Sequence, residues 1–204
     1  IATHVAGTVY FAEITALKAN LLQYLQEIEP TMFTAVPRVY EKIEQKVKEN
    51  LEQLNFFKRK LFSWAQNVIL EELLMRLNSD EKQSSSLKMS IAQRLVSQPV
   101  KALLGFRRCK ILTTGAAPIN EETKLFFMSL DIFLTEVYGL TESSCLHSVP
   151  PPYKIPSLKT VGKSLSTAKT KIYNANEEGE GEICIKGRHV FMGYLNDIEK
   201  TLET

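Results

Sequence analysis

Residues 109–144 read CKILTTGAAPINEETKLFFMSLDIFLTEVYGLTESS, and this stretch decides the fold class. Cys109 to Thr114 is a short apolar and β-branched run that stops at Gly115, which predicts a strand. Asn120 is a credible N-cap, and Glu121 and Glu122 suit the positive end of the helix that follows. Leu125, Phe126 and Met128 carry that helix, and Ile132 to Val137 predicts the returning strand. Strand, helix and strand in so short a span form a βαβ unit, whose two strands lie parallel. An α/β protein built on a parallel sheet is expected.

Upstream, a second such unit is expected over residues 1–37. Val5 to Phe11 predicts a strand, and Leu17, Leu21, Leu25 and Ile28 mark one face of a helix ended by Pro30. Thr31 to Val36 predicts the next strand. Residues 38–105 then read as a helical insertion. Val39, Ile43, Val47, Leu51 and Leu54 form one apolar stripe, Phe57, Leu61, Trp64, Val68 and Leu77 a second, and Leu87, Ile91 and Leu95 a third, disturbed at Pro99. Asn78 to Ser86 is polar and Ser-rich and reads as a loop. The two-strand unit with its loops occupies 109–145. Val149 to Pro156 holds four prolines and must be extended, and 157–204 reads as a β-rich end with antiparallel strands around the turn at Glu177 to Gly181.

Composition narrows the function classes. The 204 residues are 44% hydrophobic and 24% charged, which excludes collagen-like, mucin-like and wholly disordered chains. No stretch approaches the roughly 20 uninterrupted apolar residues of a spanning helix. The formal net charge of +2 demands no polyanion-binding surface, and no nucleic-acid partner is expected. Cys109, Cys145 and Cys184 are too scattered for a disulfide framework, read as buried small residues, and make a reducing compartment the default. His4, His147 and His189 accompany no nucleophile motif. The chain opens without Met and stops just as a helix starts, so both ends read as truncated and the chain as an internal piece of a longer protein.

In open parallel sheets, ligands sit beyond the carboxyl ends of the strands. Thr114-Gly115-Ala116-Ala117-Pro118 follows one strand of the 109–145 unit, and Tyr138-Gly139-Leu140-Thr141-Glu142 follows the other. If those strands are neighbours about 4.8 Å apart, the two loops share a crevice. Taken singly, each loop has a plain structural reading: a Gly/Pro turn into a helix, a core tyrosine, a glutamate favouring a helix start. Taken together they supply an aromatic plate, a floor of small residues, a hydroxyl and a carboxylate. An aromatic ring can stack a base, and a hard carboxylate oxygen can ligate magnesium.

These residues carry a resemblance. Val36-Pro37-Arg38-Val39-Tyr40-Glu41-Lys42-Ile43, the GAAP segment at Gly115 to Pro118, the YGxTE motif at Tyr138 to Glu142, and Gly181 to Arg188 continuing to Met192-Gly193-Tyr194-Leu195 occur in the order found in the adenylate-forming (AMP-binding) superfamily. The chain most resembles its long-chain acyl-CoA synthetases of the bubblegum group. The resemblance implies part of the large N-terminal domain of that fold. It also implies an ATP-dependent fatty acid–CoA ligase working through acyl-AMP, with ATP, Mg2+, CoA and a long-chain fatty acid as its small-molecule partners.

By position, it implies that Tyr138 stacks on adenine and that Gly115, Ala116, Ala117 and Gly139 line the pocket. Thr141 would meet the α-phosphate and Glu142 would bind magnesium, these two being the candidate catalytic residues. The family's phosphate loop would lie upstream of Ile1, and its ribose-binding aspartate and C-terminal lysine downstream of Thr204, so the chain alone is expected to be inactive. Cys145 departs from the glycine of close relatives, and Ser166-Thr167-Ala168 replaces a Pro-Gly turn.

Two other functional readings stand beside this one: a non-catalytic nucleotide- or acyl-binding module of the same fold, and a helical interaction scaffold built on 39–99. Phe56 to Trp64 interleaves aromatics with Lys58, Arg59 and Lys60, which fits either a packed helix with a basic edge or peripheral contact with a membrane. The expected setting is the cytoplasm, with peripheral attachment to the endoplasmic reticulum or another membrane left open. The residues name no protein partner.

Overall fold

The computed structural model describes residues 7–10, 21–78, 86–151 and 155–203. Its centre is a three-stranded parallel sheet of β1 (Met32–Ala35), β2 (Ile111–Thr114) and β3 (Leu134–Glu136), in the order β1-β2-β3. Met32 pairs with Ile111, and Leu112 with Leu134, so the middle strand is the one that ends in the Gly-Ala-Ala-Pro loop. The 109–145 unit therefore forms as the sequence predicts. Asn120 caps its helix, accepting a hydrogen bond from the Glu122 amide at 3.2 Å.

The first βαβ unit does not form as expected. Residues 7–10, the described part of the expected Val5–Phe11 strand, are not a strand; its remaining residues and Leu17 lie outside the described residues. Helix α1 (Leu21–Ile28) is present, and β1 takes its sheet neighbour from the downstream unit.

The crossover from β1 to β2 is the helical insertion. Val36 is extended and Pro37 opens helix α2 (Pro37–Glu52), where its fixed φ suits the first turn and its missing N–H costs nothing. Ile43 is buried on this helix, with Val39, Val47 and Leu51 packed against the core. Tyr40 is the side chain that ties the layers together. It is fully buried, its hydroxyl donates to the Thr113 carbonyl at 3.0 Å, and its ring meets Phe33 and Phe127 edge-on at 5.9 and 5.8 Å. Burial, with a smaller contribution from neighbouring Cys109, pushes its phenol well above the ordinary range.

The second predicted apolar stripe meets the core only through Val68 and Leu77, and the third does not meet it. On α3 (Phe56–Asn78) the core takes Phe62, Ala65, Ile69 and Leu73, whereas Phe57, Leu61 and Trp64 are exposed. The helix is apolar on two sides, so periodicity alone does not choose between them. Helix α4 (Leu87–Ala92) buries Met89 and Ala92 and exposes Leu87, while Ile91 and Leu95 are also exposed. A π-turn (Gln93–Ser97) then leads into α5 (Gln98–Leu103) through helical dihedrals, and Pro99, which lacks a backbone donor, follows directly on this break in the regular hydrogen-bond ladder.

Helix α6 (Glu121–Ser129) returns the chain to β3. Beyond it come the antiparallel pairs β4 (Ser148–Val149) with β5 (Lys163–Ser164) and β6 (Ala168–Tyr173) with β7 (Glu182–Gly187), then a short helix α7 (Ile198–Glu203). This is the antiparallel end that the alternating sequence predicts. The cysteines depart from expectation, since Cys145 and Cys184 are exposed and Cys109 is half-buried. Among the described residues no helix is long and apolar enough to cross a membrane.

Candidate functional site

The parallel register sets Thr114 opposite Glu136, and the Val137 amide donates to the Thr114 carbonyl at 2.9 Å. The loops that follow β2 and β3 therefore leave the sheet side by side. A Cβ on Gly115 would lie 3.0 Å from the Val137 carbonyl oxygen, so the first loop runs close against the second strand. Ala116 holds a left-handed φ of 69°, and both Ala116 and Ala117 are exposed. Below them the Thr114 hydroxyl is buried without a hydrogen-bond partner.

An ion pair lies beside the two loops. Lys124 on α6 is buried, pairs with Glu136 at the end of β3, and also donates to the Leu158 carbonyl at 2.8 Å. The same carboxylate accepts from the Ile119 amide, so α6 and β3 are fixed to each other next to both loops.

Tyr138 is half-buried and anchored through its backbone. Its amide donates to Ser148 at 3.2 Å, and its carbonyl accepts from His147 and Ser148 at 2.8 and 3.0 Å. Its ring meets His147 edge-on at 6.2 Å. After it the chain folds back sharply: a Cβ on Gly139 would stand 1.4 Å from the Cys145 carbonyl oxygen, so only glycine fits there. Ser144 and Cys145 close the turn with left-handed φ values of 57° and 80°. Thr141 and Glu142 open one 3-10 turn (Thr141–Ser143), with Thr141 exposed and Glu142 half-exposed.

Glu142 is held from a distant segment. The Tyr194 hydroxyl donates to its Oε1 at 2.8 Å, and the Phe191 amide donates to its carbonyl at 2.7 Å. The Ser144 hydroxyl adds a bond to the His189 carbonyl at 2.7 Å. The Tyr194 bond, with a smaller contribution from the charge of Lys200, holds the Glu142 carboxyl below its ordinary range, so it is ionised at neutral pH.

His147 and His189 stack at 5.9 Å behind this loop, and the His147 Nε2 shares a 2.9 Å hydrogen bond with the Thr170 hydroxyl. The structure thus brings Gly115, Ala116, Ala117, Tyr138, Gly139, Thr141 and Glu142 to adjacent strand ends. It adds Tyr194, His147 and His189, which the sequence reading left without a role.

The donor set fits a hard divalent cation held mainly by a ligand. Among the described residues no group of three or more His, Cys, Asp or Glu side chains could hold a metal by itself. Glu142, in the second loop, is the candidate carboxylate, and magnesium is commonly held by one or two carboxylates together with substrate phosphates and water.

Comparison with known proteins agrees with this geometry. Residues 1–195 match the AMP-binding enzyme family. The chain is 44% identical over 200 residues to the long-chain-fatty-acid–CoA ligase ACSBG2 of Xenopus laevis, covering 97% of this chain and 26% of that protein. It is 43% identical over 195 residues to the long-chain-fatty-acid–CoA ligase ACSBG1 of Homo sapiens, covering 96% of this chain and 26% of that one. The chain thus spans about a quarter of the length of these relatives. Among solved structures, VinN in complex with L-aspartate superposes with a TM-score of 0.62 at 20% identity, over 100% of this chain and 38% of VinN, which shows a shared fold. The paired loops on β2 and β3 and the match along nearly the whole sequence lead to one conclusion: this chain belongs to the AMP-binding enzyme family.

Proposed function

We propose that this chain carries the adenine- and magnesium-binding part of a long-chain fatty acid–CoA ligase. The observation that bears most weight is the side-by-side placement of the Gly115–Pro118 and Tyr138–Glu142 loops at the ends of β2 and β3, with the Glu142 carboxylate held in place by Tyr194. The relatives' printed activity supports the substrate class. In the proposed reaction a carboxylate oxygen of the fatty acid attacks the α-phosphorus of ATP, and pyrophosphate leaves. The thiol sulfur of CoA then attacks the acyl carbon, losing its proton, and AMP leaves.

Each residue has a defined part. Tyr138 offers its ring face to adenine, while Gly115, Ala116, Ala117 and Gly139 leave room for a flat ligand. Thr141 presents its exposed hydroxyl to the α-phosphate. Glu142 would hold magnesium, which when bound offsets charge that develops on the phosphates. Lys124 and Glu136 act earlier, by keeping the two loops at one spacing.

A cytoplasmic setting with peripheral membrane contact is proposed; exposed Phe57, Leu61 and Trp64 beside Lys58 and Lys60 support the membrane contact alone. The test of the function is product analysis of the intact ligase with ATP, magnesium, palmitate and CoA. Palmitoyl-CoA formed with equal amounts of AMP and pyrophosphate is expected, and release of ADP and phosphate contradicts the reading.

A further inference from the structure

We propose that Tyr194 is a positioning residue for Glu142, fixing that carboxylate through Oε1 so that Oε2 is the oxygen offered to the divalent cation of a bound nucleotide. The proposal rests on the reading of Glu142 as the cation ligand.

Three features of the structure support it. The contact is doubled: within one short segment the Phe191 amide holds the Glu142 backbone at 2.7 Å and the Tyr194 hydroxyl holds its side chain at 2.8 Å. A side-chain bond alone could come and go with rotamer, but the backbone bond keeps donor and acceptor within reach of each other.

Tyr194 is itself fixed on three sides. Its amide donates to the Thr201 hydroxyl at 2.9 Å, its ring meets Phe191 edge-on at 4.9 Å, and the Lys200 ammonium lies 4.8 Å from its ring centre. Gly193 permits the close approach: it holds a φ of 147°, and a Cβ there would lie 2.5 Å from the Thr201 side chain.

The third feature is chemical. A carboxylate has two oxygens, and a neutral phenol can only donate to an ionised one without competing for its charge. A glutamate held this way loses less rotamer freedom on taking a cation, which is how outer partners tune metal ligands. A phenylalanine in the same place would give the same packing and no such orientation.

The experiment uses the intact ligase and measures Mn2+ affinity in the ternary complex with a non-hydrolysable ATP analogue, by electron paramagnetic resonance. Metal-free AMP binding is measured alongside. Tyr194→Phe is expected to weaken Mn2+ on the order of tenfold while leaving metal-free AMP binding unchanged. Glu142→Gln is expected to weaken Mn2+ at least as much, and adding Tyr194→Phe to it is expected to cost nothing further.

Unchanged Mn2+ affinity in Tyr194→Phe, with a loss in Glu142→Gln, overturns the positioning role and leaves the Glu142 reading intact. Unchanged affinity in Glu142→Gln overturns that reading and this proposal with it. An equal loss of Mn2+ and AMP binding in Tyr194→Phe assigns the hydroxyl to folding alone and also overturns the proposal.

Discussion

Thr114 and Glu136 are register partners on adjacent parallel strands, and that one pairing brings the two motif loops side by side. Everything proposed for the site depends on it. Glu136 also receives Lys124 from α6, so the strand ends and the helix between them move together.

Lys124→Met should therefore weaken the fold as well as the site. It leaves a largely buried carboxylate without its cation, a change that costs about 3–5 kcal/mol for a buried pair. Urea denaturation should show a lower midpoint with an unchanged slope. A variant as stable as the parent would mean that water replaces the ammonium at no cost.

Cys145→Gly should stabilise the protein. Cys145 stands at φ 80°, where a side chain is strained and glycine is not. A gain of about 0.5–1 kcal/mol is expected after the added freedom of the unfolded glycine is subtracted. Thermal denaturation measures it, and a fall in midpoint would show that the thiol makes contacts worth more than the strain.

Tyr138→Ala should raise the Michaelis constant for ATP several-fold and that for fatty acid much less. An aromatic stack is worth about 0.5–1.5 kcal/mol beyond its buried area. Steady-state kinetics with each substrate varied in turn provides the comparison. Equal effects on both would assign the ring to packing against His147 alone.

Stability should fall on the acid side, with His147 as one source. Burial, and secondarily the charge of His189, depress its folded pKa below the ordinary imidazole value. The folded state therefore favours neutral His147. Its contribution is complete above the unfolded pKa of about 6.5 and is lost as pH falls from there through the folded value. His147→Gln should flatten that part of the stability–pH curve, as measured by denaturant titration at a series of pH values. A curve of unchanged shape would remove His147 as the cause.

The sheet and the two loops were legible because their signals are local. A β-branched run ending at Gly115, the Asn120 cap with two glutamates behind it, and a second run ending at Tyr138 each lie within a few residues. The buried helix faces were not legible in the same way. Trp64 and Leu61 match a helical period as well as Phe62, Ala65 and Ile69 do, and only tertiary contact selects the second set.

Tyr40 was hidden for another reason: its polar tip is satisfied by the Thr113 carbonyl, which no spacing in the sequence announces. Tyr194 lies inside a motif that the sequence displays plainly, yet its bond to Glu142 joins residues 52 apart. Contacts of that kind come from the fold and leave no local trace.

Glu142 is the residue proposed to support fatty-acid adenylation. Palmitate-dependent exchange of labelled pyrophosphate into ATP, measured in the intact ligase with and without Glu142→Gln, tests it most directly. A loss on the order of 10²-fold or more is expected in a variant that stays folded, since the amide cannot supply the charge. Exchange at the parent rate in folded Glu142→Gln would contradict it.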